Sequence, residues 1–235
     1  MNRVSKWLHI QYLGGDPWVK PIWSAVNNAI GRGACAQITE DLGELGVNIS
    51  TRLTMLPRIY RRINEGAAAI RASVSNRRPH HESTSSHEGY AFDLDDDLKF
   101  NFLLDLDSLL FELNSICELM MCFFELLYAH AGRPLPAAAP GLAIRNVLEA
   151  AGQNTQWFRD LDSHRNFFSH NGAPYFAVDL SDPPGYDLLI MKNNLRTFED
   201  ETAFLRLSAL AAMVGGFESS RHVIKKNLSG LFAAV

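Results

Sequence analysis

Charged, amide and imidazole side chains gather in one stretch of the sequence, WFRDLDSHRNFFSHNGAPY, which runs from Trp157 to Tyr175. Within it an arginine, Arg165, is followed by Asn166 and, five positions after the arginine, by His170. An imidazole can transfer protons near neutral pH, and a guanidinium can stabilise developing negative charge. This is the part of the chain whose residue types and spacing favour chemistry, and the remaining elements must position it.

The spacing predicts a helix for this stretch. Asn154 or Thr155 can cap its start, and Asn171-Gly172 followed by Pro174 is typical of a helix end. At roughly 100° per residue the polar side chains share one arc about 140° wide. They are Asp162, Arg165, Asn166, Ser169 and His170. The opposite side carries Trp157, Leu161 and Phe168, which we expect to face a core. His164 leans toward that apolar side, and we expect a core-edge histidine.

Composition limits the possible functions. The chain has 235 residues, 47% of them hydrophobic and 20% charged, with a net charge of −4, so a sizeable core is expected and a broadly basic nucleic-acid coat is excluded. Cys117 and Cys122 lie in an apolar run without metal-like spacing and are predicted to be reduced core residues. We find no pattern typical of a signal peptide or a membrane span, so the expected location is the cytoplasm.

Residues 1–75 are predicted to form an N-terminal helical extension packed on the rest of the protein. Asp16-Pro17 can open a helix that continues to about Ile30. Residues 34–75 are expected to be helical in two pieces, because Gly43 and Gly46 weaken the middle. The second piece covers 50–73, with Pro57 near its first turns. That second piece is the most basic part of the chain, and Glu65 is the acidic residue that partly balances its positive charge. Arg61 and Arg62 are its candidate phosphate contacts. The alternative is an ordinary exposed face. Its arginines are Arg52, Arg58, Arg61, Arg62 and Arg71.

Residues 76–92 are predicted to be a flexible polar linker without periodicity. Its histidines and glutamates raise the question of a metal site, but their spacing fits no structural zinc pattern. We therefore expect no metal there. The residues concerned are His80, His81, Glu82, His87 and Glu88.

Residues 93–235 are predicted to form a helical bundle that carries a small β-hairpin at about 175–191. A long apolar helix over 93–131 is its spine, and we expect the acidic residues of that helix on a solvated stripe. They are Asp105, Glu112, Glu118 and Glu125. A short helix over 142–151 comes next, and a last helix is predicted from Phe198 to about Leu228, with a kink at Gly215-Gly216. The fold class is therefore mainly α, an up-and-down bundle with a hairpin insertion.

The segment Arg165-Asn166-Phe167-Phe168-Ser169-His170 resembles the signature of the HEPN superfamily (higher eukaryotes and prokaryotes nucleotide-binding domains). That signature is an arginine, often followed by a polar residue, with a histidine after four to six intervening residues. It lies near the end of a helix in an all-α up-and-down bundle. Here the spacing is R-x4-H, with Asn166 in the polar position. The resemblance covers residues 93–230 and implies a bundle of HEPN type.

The resemblance implies a metal-independent endoribonuclease, related to toxin or defence systems, that needs no cofactor. Arg165 and His170 would be the active pair, with Asn166 in support. The substrate would also contact Asp162, Ser169 and Asn171 of the same segment, and Arg61 and Arg62. The motif supplies one histidine, whereas the reaction needs both a general base and a general acid. A homodimer joined at this helix face, which would bring two motifs together, is therefore expected. An antitoxin or nucleotidyltransferase is the expected protein partner, and no membrane is involved.

Two alternatives stay open. Some toxin relatives carry a tyrosine two residues after the histidine, where this chain has Gly172, and several branches of the superfamily keep the motif without demonstrated cleavage. The chain would then be a non-catalytic module that binds RNA, nucleotide or a protein partner. A purely structural role would pair Arg165 with Asp162 and use His170 to cap a carbonyl.

Overall fold

The computed structural model describes residues 15–76, 80–83, 88–91, 93–170, 175–180, 186–191 and 201–233. For residues 80–83, 88–91, 169–170 and 201 it describes the backbone only. A short 3₁₀ turn, Pro17–Val19, leads into the first helix, and a second, Glu201–Ala203, precedes the last strand. The helices of this part of the chain are α1 Lys20–Gly31, α2 Glu40–Asn76, α3 Asp96–His130, α4 Pro140–Ala150, α5 Gln156–His170 and α6 Leu207–Leu231. The strands are β1 His80–Ser83, β2 Glu88–Ala91, β3 Tyr175–Asp179, β4 Asp187–Met191 and β5 Phe204–Arg206.

The predicted class, mainly α with a small β insertion, is confirmed, and local capping explains three of the helix starts. Asp16 Oδ1 accepts a hydrogen bond of 2.8 Å from the backbone N–H of Trp18. Asp95 Oδ1 accepts one of 3.0 Å from the backbone N–H of Leu98 at the start of α3. Asn154 Oδ1 accepts one of 2.8 Å from the N–H of Gln156, so the predicted cap of α5 is correct. Each bond satisfies a donor that a helix end leaves without an intrahelical partner.

α2 is one helix of 37 residues, so the prediction of two pieces, with the second over 50–73, is wrong. Pro57 is exposed, whereas buried residues continue along one side of α2 both before and after it. Packing of that continuous apolar side offsets the hydrogen bond that proline removes. Gly46 also has a packing role, because a Cβ there would lie 2.6 Å from Cζ2 of Trp23.

α3 is the spine that the sequence predicts, since it packs against α2, α4, α5 and α6. A connected core includes buried side chains from all of these helices and from α1. The N-terminal segment joins the same core, because Trp18 is buried and its Nε1 donates a 2.7 Å hydrogen bond to the carbonyl of Arg221 on α6. The helices around α3 thereby hold α5 in place.

Two acidic residues of α3 were expected on a solvated stripe, and the structure buries both. Asp105 is 7% exposed and Glu112 is 9% exposed. Arg52 Nη1 lies 2.7 Å from Glu112 Oε2, and the guanidinium of Arg62 pairs with Asp105. The two pairs run in opposite chain directions, so α2 and α3 are antiparallel. The predicted exposure of these two residues is wrong because α2, a separate part of the chain, supplies the partner charges. Glu118 and Glu125 are exposed as expected.

The hairpin predicted at about 175–191 is confirmed, with β3 and β4 antiparallel and Tyr175 opposite Met191. The predicted start of the last helix is wrong over 204–206, because these residues form β5 on the free side of β4. Arg206 ends this strand and pairs with Asp179 of β3 at 2.9 Å. The buried side chains of Phe204 and Leu205 favour a strand there over a further helical turn.

The polar segment 76–92 was predicted as a linker without regular structure, yet β1 and β2 pair within it as an antiparallel hairpin. Cys117 is buried as expected, whereas Cys122 is exposed, so the core assignment of Cys122 is wrong. Its position falls on the outer side of α3, where the apolar run continues past the buried face. No helix within the described ranges has both the length and the apolar character to cross a membrane.

Candidate functional site

The apolar side of α5 fixes the helix on the bundle. Trp157 is buried, and its Nε1 donates a 3.1 Å hydrogen bond to Oγ of Ser220 on α6. Gly216 makes room for the indole, because a Cβ at Gly216 would lie 2.6 Å from Cδ1 of Trp157. Leu161 is buried one turn later. These contacts set the rotation of α5, so its polar side faces away from the core.

The polar side of α5 carries a short chain of hydrogen bonds. Arg165 Nη1 donates to Asn166 Oδ1 at 3.2 Å, and Asn166 Nδ2 donates to Asp162 Oδ1 at 3.4 Å. Asp162 and Asn166 are exposed and Arg165 is half-buried. Within the described residues Arg165 and Asp162 make no direct ion pair; the Asn166 amide lies between them. The structure therefore brings these three predicted residues together, with the amide hydrogen-bonded to both charged side chains.

The structure describes less of the C-terminal half of the predicted motif. The backbone of α5 ends at His170, as the sequence predicts. The side chains of Ser169 and His170 lie outside the described part of the structure, as does the whole of Asn171. The pairing of Arg165 with His170 therefore stays a prediction. His164 is half-buried, as expected for a histidine at the edge of the core.

Arg159 belongs to the same side of α5 and was not among the predicted site residues. It lies three positions before Asp162 and seven before Asn166, which places it on the same arc of the helix. Its side chain is exposed and has no ion-pair partner among the described residues. Helical spacing could have predicted Arg159, because it lies on the same arc as the motif, two turns before Asn166.

A cavity of about 260 Å³ lies directly beside this polar side, between α3, α4, α5 and α6. Most of its wall is apolar, with two guanidinium groups, Arg145 and Arg159, and one carboxylate, Asp162. Asp162 lines the cavity and also accepts the hydrogen bond from Asn166. The apolar residues of the wall include Met120, Met121, Ile144, Trp157, Phe158, Leu161, Phe217 and Ile224. Sequence reasoning did not predict this cavity, because four separate elements form it.

The basic side of α2 is less basic than its sequence indicates. Arg52 and Arg62 pair with the buried carboxylates of α3, and Arg71 Nε donates a 2.7 Å hydrogen bond to the carbonyl of Tyr186. Arg61, the other candidate phosphate contact, is exposed and has no ion-pair partner in the described part of the chain. The two predicted contacts thus differ, because Arg62 already neutralises Asp105 whereas Arg61 is available.

Titratable groups elsewhere form no metal cluster in the described part of the structure. No three His, Cys, Asp or Glu side chains come together among those described. The side chains of the histidine-rich segment 80–88 lie outside that description. Cys117 faces the cavity, and burial, with a smaller contribution from Glu118, raises the pKa of its thiol to about 12. This thiol is therefore neutral at physiological pH and unsuited to nucleophilic chemistry.

Comparisons with family models, with curated proteins and with solved structures find no match to this chain. The resemblance to the HEPN superfamily consequently depends on the R-x4-H motif and on the helical class of the fold. The RNA substrate, the homodimer, the cytoplasmic location and the antitoxin or nucleotidyltransferase partner stay predictions.

Proposed function

We propose that this chain is a metal-independent endoribonuclease in which Arg165 and His170 act on one phosphodiester. The observation that carries the proposal is the hydrogen bond from the Arg165 guanidinium to Asn166 on the outward side of α5. One of its five N–H groups is used in that bond, so the others can bind the oxygens of a phosphate. His170 follows at the last residue of the same helix.

The reaction uses the ribose as its own nucleophile. The 2′ oxygen of the ribose attacks the adjacent phosphorus, the bond from phosphorus to the 5′ oxygen breaks, and the products are a 2′,3′-cyclic phosphate and a 5′ hydroxyl. An imidazole at His170 takes the proton of the 2′ hydroxyl or gives one to the leaving 5′ oxygen. Arg165 stabilises the charge on the non-bridging oxygens. No metal is required, because the protein side chains supply both proton transfer and charge stabilisation.

A second copy of the chain supplies the second proton-transfer group in this proposal. The described outer side of α5 is polar and carries both signs of charge, with Asp162 between Arg159 and Arg165. Such a surface can be self-complementary about a two-fold axis. Among the described residues, large exposed apolar side chains lie instead on several other elements, and the two most exposed, Phe100 at 60% and Leu104 at 62%, are on α3. A dimer formed through α3 would leave the two α5 surfaces apart and would count against a shared cleft.

The alternative function is RNA binding without cleavage, and the exposed part of α2 favours it. Arg58 and Arg61 are exposed and without ion-pair partners in the described residues, so they can contact phosphates along a strand. A binding module would show affinity for RNA that falls with salt and with Arg61→Gln, and it would leave the RNA intact. Cleavage in the absence of metal separates the two functions.

The test is incubation of the purified chain with structurally diverse RNAs in EDTA, followed by analysis of product ends. We expect cleavage with 2′,3′-cyclic phosphate ends, and its loss in Arg165→Ala and His170→Ala. His222→Ala and Arg133→Gln are matched controls, since both residues are exposed and neither lies on α2 or α5. Intact RNA after prolonged incubation with folded protein would overturn the nuclease proposal.

A further inference from the structure

The cavity between α3, α4, α5 and α6 is larger than packing defects in protein cores usually are. Protein interiors are close-packed, and an apolar cavity of about 150 Å³ is enough to hold benzene in another protein. By the same proportion, 260 Å³ holds a ligand with on the order of ten non-hydrogen atoms. The size therefore fits a small molecule and excludes a protein segment or a folded nucleic acid.

The wall of the cavity favours an apolar body. Phe217 of α6 and Leu161 of α5 are buried at its inner side, with the methionines Met120 and Met121 on α3. Methionine side chains are flexible and polarizable, so they adapt to the shape of an apolar ligand. The buried polar groups are already occupied or neutral, since Ser220 accepts the Trp157 hydrogen bond and the Cys117 thiol is uncharged.

The charges at the cavity favour an anionic head group. Arg145 on α4 is half-buried and Arg159 on α5 is exposed, and neither has an ion-pair partner among the described residues. The single carboxylate of the wall, Asp162, accepts a hydrogen bond from Asn166. The cavity therefore has one positive charge in excess, carried by side chains that bind carboxylates well.

We propose that this cavity binds a medium-chain aliphatic carboxylate. The chain lies between α3 and α4 among the methionines and Ile144, and the carboxylate is bound by Arg145 and Arg159. This site is independent of the proposed nuclease reaction, since it uses neither Arg165 nor His170. It shares only Asp162 with the polar side of α5.

Isothermal titration calorimetry of the full chain with decanoate tests the proposal, with decanol as the uncharged probe of the same length. We expect decanoate to bind at one site and at least tenfold more tightly than decanol. Arg145→Gln and Arg159→Gln should each weaken decanoate at least fivefold and leave decanol unchanged. Arg58→Gln, an exposed arginine on α2, is the matched control and should bind decanoate as the native chain does.

A second variant tests the location of the apolar chain. Met121 lines the cavity and is half-buried, so Met121→Trp can fill the space without displacing a fully buried side chain. This change should weaken decanoate and decanol together. The proposal is overturned if decanoate does not bind the native chain, if the two probes bind equally, or if Met121→Trp and both arginine variants bind decanoate like the native protein.

Discussion

Arg165 Nη1 lies 3.2 Å from Asn166 Oδ1, and the amide of Asn166 in turn donates to Asp162. The guanidinium is thus hydrogen-bonded to its own neighbour in sequence. If Arg165 must be oriented toward the phosphate, Asn166→Ala should lower kcat for RNA cleavage about tenfold, equivalent to about 1.4 kcal/mol of transition-state stabilisation, with little change in KM.

The free energy of unfolding of Asn166→Ala should stay close to that of the native chain, because Asn166 is exposed. Asn101→Ala, an exposed asparagine on α3, is the control. A rise in KM with kcat unchanged would show that Asn166 contacts RNA directly and does not position Arg165.

The ion pair between Arg52 and Glu112 predicts a loss of stability when one partner is removed. Glu112 is 9% exposed, so Arg52→Met leaves a buried carboxylate without its partner. Because the Arg52 side chain is 34% exposed, the cost should fall below that of a fully buried pair, at about 2 kcal/mol. Urea unfolding followed by circular dichroism measures it.

Adding Glu112→Leu to Arg52→Met should restore most of that stability, because an apolar side chain suits the buried position. A single change that costs less than about 0.5 kcal/mol would mean that the pair is dispensable. A double variant as unstable as the single one would mean that Glu112 matters for packing and not for charge.

Two adjacent glycines of α6 should respond in opposite directions to alanine. A Cβ at Gly216 would lie 2.6 Å from the Trp157 indole, whereas a Cβ at Gly215 meets nothing within 4 Å. Gly215→Ala should therefore raise the free energy of unfolding by about 0.5–1 kcal/mol, and Gly216→Ala should lower it by about 1–3 kcal/mol. Thermal unfolding of the two variants measures the difference, and equal effects would contradict the packing of α5 on α6 described above.

Those parts of the fold that depend on neighbouring residues could be predicted from the sequence. The caps Asp16, Asp95 and Asn154 act within one turn of their own helices, and the β3–β4 hairpin is indicated by the polar turn between two apolar runs. The apolar side of α5 was predicted as well, since Trp157 and Leu161 follow helical spacing and both are buried.

The features that depend on distant partners could not be predicted in this way. Burial of Asp105 and Glu112 requires the arginines of α2, and β5 exists because β4 offers an edge to pair with. The same holds for the cavity beside Arg159, whose wall comes from four helices. A periodic pattern indicates that a position faces inward without identifying the element that covers it.

Cys117 and Cys122 should differ in reactivity. Burial raises the pKa of Cys117 to about 12, so its thiolate is scarce at pH 8, whereas Cys122 is exposed. Titration with a thiol-specific chromogenic reagent should modify Cys122 rapidly and Cys117 only on unfolding. Because Cys35 is partly exposed, the comparison uses Cys35→Ser as its background. Adding Cys122→Ser should remove the fast phase, and rapid modification of Cys117 in that double variant would contradict its burial.

The same pKa predicts a loss of stability at alkaline pH. The thiol of Cys117 binds its proton more tightly in the folded chain, with a pKa of about 12, than an ordinary solvated thiol, whose pKa is 9.0. Its contribution is therefore fully present below about pH 9 and is lost as pH rises toward 12. Between pH 8 and 10.5 the native chain should lose more free energy of unfolding than Cys117→Ala; equal losses would count against the shift.

The most direct test of the central claim is the rate of RNA cleavage in EDTA by the native chain, Arg165→Ala, His170→Ala and the double variant. If both side chains act in one step, each single change should lower the rate at least about a hundredfold, and the double variant should be little slower than the worse single variant. Cleavage by folded His170→Ala at the native rate, or no cleavage by the native chain, would contradict the account.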